Sequence, residues 1–165
     1  MAYTIKNPII GAPAINLTET TAFPAVALGT IVVAEDETYG GGEFIYLKGV
    51  ASTTVGTWVT YYQTDYSTTR LAANDIGQTA IAMSANTAGR FGWYQISGKA
   101  VGLALAGFAD NGLVYATATA GSVDDAVVAG DRVKLARGAS AVGTPSAGFA
   151  FFEIARPFMD DGSAA

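Results

Sequence analysis

Short alternating runs, each cut by glycine before a helical period can build, leave this chain little choice but sheet. Residues 30–34 are a β-branched run, Thr-Ile-Val-Val-Ala, closed by the acids Glu35, Asp36 and Glu37. Along residues 43–48, alternation sends Phe44 and Tyr46 to one face and Ile45 and Leu47 to the other. Residues 55–62 repeat the pattern, with Val59 and Tyr61 opposite Trp58 and Tyr62. Further runs at 79–83, 90–96, 100–105, 113–116, 131–135 and 149–154 are bounded by glycine or polar residues. Strand-like runs with turn signals roughly every 8 to 12 residues predict an all-β domain. The expectation is a compact β-sandwich or β-barrel of about nine short strands with an extended N-terminal arm. The triple Gly40-Gly41-Gly42 reads as a hairpin turn.

Residues 1–28 differ from the rest of the chain. Pro8, Pro13 and Pro24 disfavour helix and hold the preceding residues extended, and Lys6 and Glu19 are the sole charges. Such a segment needs cover. It either packs as an edge strand on its own domain or lies as an arm across a neighbour, where strand addition supplies main-chain hydrogen bonds. On the second reading Tyr3, Ile5, Ile9, Ile10, Ile15 and Leu17 form an interface with that neighbour. The expected organisation is therefore an arm over 1–28, a β-sandwich or barrel domain over 29–159, and a tail over 160–165.

Composition narrows function. The 165 residues include no His and no Cys, so the commonest proton shuttle, the thiolate nucleophile and the usual zinc ligands are missing. Charged residues are 14% against a usual value of about 25%, while half the chain is apolar. Either Thr, Ser, Gly and Asn solvate so uncharged a surface or, the favoured reading, copies of itself or a partner cover part of it. Nine Lys plus Arg against fourteen Asp plus Glu give a net charge of −5, which argues against nucleic acid as partner. No apolar stretch reaches the ~18 residues of a membrane span, and no basic start leads into a secretory h-region.

The constellations that could carry chemistry each have a plainer explanation. Glu35, Asp36, Glu37 and Glu43 are the densest acids, yet neighbours on an extended chain diverge, so a solvated turn is expected and no metal site. Gly40-Gly41-Gly42 leads into a strand where a phosphate loop leads into a helix. Ser97-Gly98-Lys99 lacks the spacing of a Ser–Lys hydrolase. Neither a catalytic residue nor a cofactor site is expected. Trp58, Tyr61, Tyr62, Tyr66, Trp93 and Tyr94 could form a sugar-stacking platform, which makes a carbohydrate-binding or receptor-contact module the alternative function. Core packing is the favoured role for these rings.

Five blocks taken in order carry a resemblance. They are Glu43-Phe44-Ile45-Tyr46-Leu47-Lys48-Gly49-Val50-Ala51, Trp58-Val59-Thr60-Tyr61, Ala80-Ile81-Ala82-Met83-Ser84-Ala85-Asn86, Gly92-Trp93-Tyr94-Gln95-Ile96-Ser97-Gly98 and Arg156-Pro157-Phe158-Met159. Together they resemble the head decoration, or cement, proteins of tailed bacteriophages over residues 29–159. The resemblance implies a structural protein on the outer surface of the virion. Its partners would be the major capsid protein, whose subunits it bridges, and two further copies of itself in a homotrimer.

Overall fold

A computed structural model describes residues 4–5 and 17–159. Among them the regular structure is all strand: β1 (Thr4–Ile5), β2 (Thr20–Thr21), β3 (Ile31–Asp36), β4 (Gly40–Lys48), β5 (Trp58–Tyr61), β6 (Thr68–Arg70), β7 (Gly77–Ala82), β8 (Phe91–Leu103), β9 (Leu113–Ala116), β10 (Val123–Asp124), β11 (Arg132–Gly138) and β12 (Phe149–Met159). The all-β expectation holds. The expected runs at 90–96 and 100–105 are one strand, β8, and four short strands (β1, β2, β6 and β10) join those foreseen.

All twelve strands belong to one hydrogen-bonded sheet with the order β1-β3-β4-β8-β7-β12-β11-β9-β10, β5 and β6 branching from β7 and β2 from β8. The path is open, but two isolated parallel bridges draw it round two cores. Lys48 at the end of β4 meets Ser67 just before β6, its N–H donating to the Tyr66 carbonyl at 3.0 Å. This brings β4, β8, β7, β5 and β6 round a first, barrel-like core of Ile45, Leu47, Val59, Ala80, Tyr94 and Ile96. Ala104, just past β8, meets Val123 of β10 in the same way. That bridge brings β8, β12, β11, β9 and β10 round a second core containing Phe108, Val114, Val133, Phe152 and Ile154.

Alternation explains how one sheet serves two cores. Val59 and Tyr61 of β5 point into the first, while Trp58 on the same strand points into the second. Ala80 and Ala82 of β7 face the first, and Ile81 faces the second. The β5–β7 wall is thus buried on both faces, which is why Trp58-Val59-Thr60-Tyr61 is buried without interruption. A third cluster lies on the other side of β3, β4 and β8, where Leu17, Val26 and Leu28 cover Phe44, Tyr46 and Trp93. The Tyr46 hydroxyl accepts from the Ala25 N–H at 3.1 Å and lies 2.7 Å from the Thr21 hydroxyl, which fastens this segment down.

Gly40, Gly41 and Gly42 are strand residues of β4 and not the turn; the chain reverses at residues 37–39. Asp36 makes that reversal, its Oδ1 accepting from the N–H groups of Thr38 and Tyr39 at 2.8 and 3.1 Å. The glycines answer a different need. Gly42 is paired with Gly98 at a bulge in β8, and a Cβ on Gly42 would fall 2.6 Å from the Ser97 carbonyl oxygen. Gly98 has φ +98°, which glycine alone adopts easily, so the strand passes through it instead of ending there.

Candidate interaction surface

Of the six residues expected at an interface, Tyr3, Ile9, Ile10 and Ile15 lie outside the described residues. The Ile5 main chain belongs to β1, which pairs antiparallel with β3, Thr4 opposite Glu35 and Ile5 opposite Ala34. This part of the N-terminal segment is an edge strand on its own domain. Leu17 corrects the expectation outright: it is 1% exposed, packed in the third core cluster, and its side chain has no surface left for a partner.

The aromatic platform dissolves for the same reason. Trp58, Trp93 and Tyr94 are fully buried and Tyr61 nearly so, which leaves Tyr62 as the ring with a largely open face. The Tyr94 hydroxyl accepts from Asn86 Nδ2 at 2.9 Å, and Asn86 Oδ1 accepts from the Thr20 hydroxyl at 3.1 Å. Burial pushes the Tyr94 hydroxyl up to about 12, against the opposing pull of the Asn86 hydrogen bond.

Glu43 of the acidic group, and several acids elsewhere, are engaged in holding turns and strands. Asp65 Oδ1 accepts from the Ser67 N–H and hydroxyl, which holds its carboxyl below the ordinary range. Asp75 Oδ2 accepts from the Ala72 N–H and the Thr60 hydroxyl, Asp125 from the Ala109 N–H, and buried Asp131 from the Asn74 N–H. Glu43 takes a two-point bond from Arg156, Nη2 at 2.8 Å and Nε at 3.1 Å, which lowers the Glu43 carboxyl from its ordinary value. Lys99, the amine of the Ser97–Lys99 pair, stands over the Phe151 ring at 4.2 Å. Among the described residues, no three acidic side chains converge as ligands for a metal ion, and no helix is long and apolar enough to cross a membrane.

What sequence reasoning missed is the outer face of β9, β11, β12 and β8. Leu113 stands opposite Arg137, Arg137 opposite Glu153, and Glu153 opposite Lys99, so one row crosses four strands. Every residue of that row is exposed. Beside it, β11 and β12 both bulge: Lys134 pairs with Phe158 and Ala136 with Ile154, leaving Leu135 against residues 155–157. Leu135 (φ +59°) and Arg156 (φ +52°) are both left-handed there. A trace of this was readable in the chain, because the inward residues Val133 and Ala136 are three apart where a regular strand spaces them by two. The left-handed backbone itself has no signature in a leucine. No family model matches this chain, and comparison with curated proteins and with solved structures returns no significant match.

Proposed function

We propose that this protein is a structural component of a virion that binds the outer surface of an assembled tailed-phage capsid and stabilises it by bridging major capsid subunits, as a homotrimer. One observation carries the reading. The five blocks that resemble the decoration proteins, scattered over the chain, come together in the fold. They supply the core strands β4, β5, β7 and β8 of the first barrel, and Arg156 of the fifth block clasps Glu43 of the first. The residues that carry the resemblance thus lie on strands that pack against one another. An acidic, sparsely charged β scaffold suits a place outside a shell of packed nucleic acid.

The mechanism is mass action. A protein that binds only the mature shell shifts the shell's equilibrium toward that state, and a few kcal/mol per copy suffices because the sites repeat. Sedimentation velocity of the protein mixed with expanded, undecorated phage heads tests this. Saturable co-sedimentation at a fixed copy number per head is expected. A protein that leaves the heads bare overturns the reading and makes a glycan array the next measurement.

A further inference from the structure

The charges of this acidic chain are unevenly placed. Strands β8, β9, β11 and β12 hold Lys99, Arg132, Lys134, Arg137 and Arg156, five of the nine cations, against Glu153 alone among the fourteen acids. The other four cations stand against thirteen acids. These four strands therefore present a face richer in cations than the rest of the molecule; Asp124 of β10 flanks it, opposite the same Tyr115 as Arg132, Glu153 and Glu43 bind Arg137 and Arg156, and the exposed Glu35 and Glu37 lie outside it.

At the β11–β12 bulge of this face sits Leu135, 59% exposed in a left-handed backbone. Left-handed φ disfavours leucine and suits glycine or asparagine. Burial does not justify the choice either, since most of the side chain is in solvent. Strain held at an open position, with no packing in return, marks a residue kept for what it touches outside its own fold. Leu113 and Ala155 add exposed apolar surface, while the Arg137–Glu153 and Arg156–Glu43 pairs rim it. An apolar anchor inside a ring of polar groups is the anatomy of an interface centre.

We propose that the outer face of β8, β9, β11 and β12 is where a second copy of this chain docks, Leu135 being the apolar anchor. The partner is identified by charge. The face needs an acidic surface to meet, and every copy carries one on its remaining strands and turns. A contact between unlike patches is heterologous, and such contacts close into rings, as a trimer requires. The inference rests on the self-association in the proposed function and names its surface.

The test is the sedimentation of the free protein at low and high salt, alongside Leu135→Asn and Ala155→Glu. Asparagine relieves the left-handed strain and removes the anchor; glutamate on exposed Ala155 sets a like charge against the acidic partner surface without touching the core. The expected result is an oligomer that weakens with salt. Each variant should keep the wild-type circular dichroism and, compared where all are monomeric, a thermal midpoint no lower than wild type's, the asparagine variant gaining from its relieved strain, while its dissociation constant rises about tenfold or more. Oligomers that survive both substitutions overturn the proposal, as does a wild-type protein that is monomeric at micromolar concentration. Binding to heads is scored separately: oligomers that ignore heads leave this face standing and remove the virion reading. Monomers whose head binding is lost in both variants show that the face meets the shell, which overturns self-docking.

Discussion

Asn86 and Tyr94 show how a polar pair is kept inside the first barrel. Asn86 is fully buried, and its amide donates to the Tyr94 hydroxyl while its oxygen accepts from Thr20 of β2, so one side chain ties the N-terminal segment to β8. Replacing Tyr94 with Phe strands the amide, which then has only the Leu47 carbonyl at 3.4 Å. At pH 7 the expected cost is about 1–2 kcal/mol in urea unfolding. The pH dependence has a definite sign. The folded Tyr94 hydroxyl ionises near 12 and the unfolded one near 10, so its contribution is complete below about pH 10 and is lost as pH rises toward 12. Wild type should lose roughly 2–3 kcal/mol over that window through this group. The Phe variant lacks that loss, so the gap between the two proteins should narrow from pH 7 to pH 11. A gap that stays constant over that range would mean that the hydroxyl is not buried as described. The alternation in Phe44-Ile45-Tyr46-Leu47 and Trp93-Tyr94 was legible in the chain because a pleated strand has period two. The Asn86–Tyr94 bond was not, since nothing local tells a buried asparagine from one in a surface turn.

Among the elements, the N-terminal segment is part of the domain from Leu17 onward. Residues 17–28 belong to the domain, with Leu17, Val26 and Leu28 lying over Phe44, Tyr46 and Trp93. Before that point the described attachment is the two-residue β1 on the edge of β3. Among the described residues, those before 17 contribute only the β1 pairing, so a chain beginning at residue 17 should fold, the loss of that pairing costing about 1–2 kcal/mol. Removing residues 1–28 uncovers the third cluster and should cost about 2–5 kcal/mol or prevent folding. Thermal unfolding of the two truncations checks the ranking, and co-sedimentation of the chain beginning at residue 17 with heads measures what residues 1–16 contribute to docking; on the arm reading of the sequence, binding is lost. The boundary expected at residue 28 was drawn from proline and charge content, which report that a segment is extended but not whose surface it lies on. The triple glycine misled for a related reason. Glycine marks a tight turn or a close approach of two backbones, and choosing between them needs Gly98 on the neighbouring strand, far along the sequence.

The whole molecule is two barrels that cannot part. β8 runs through both, and Trp58 and Ile81 leave strands of the first barrel to fill the core of the second. Neither barrel has a complete wall or core without the other, so heat should unfold them in one transition, with calorimetric and van't Hoff enthalpies equal. Gly102 probes the coupling. It lies in the second-barrel half of β8, where a Cβ would fall 2.6 Å from the indole nitrogen of Trp58 and 3.0 Å from the Phe152 ring. Gly102→Val forces both rings aside, an overpacking cost of about 1–3 kcal/mol. For a chain of this size that corresponds to a midpoint lower by roughly 3–10 °C. If the barrels are one cooperative unit, the calorimetric peak moves down intact, because the displaced Trp58 belongs to a strand of the first barrel. Two peaks, one unmoved, would mean that each barrel holds its own fold and that β8 links them without coupling them.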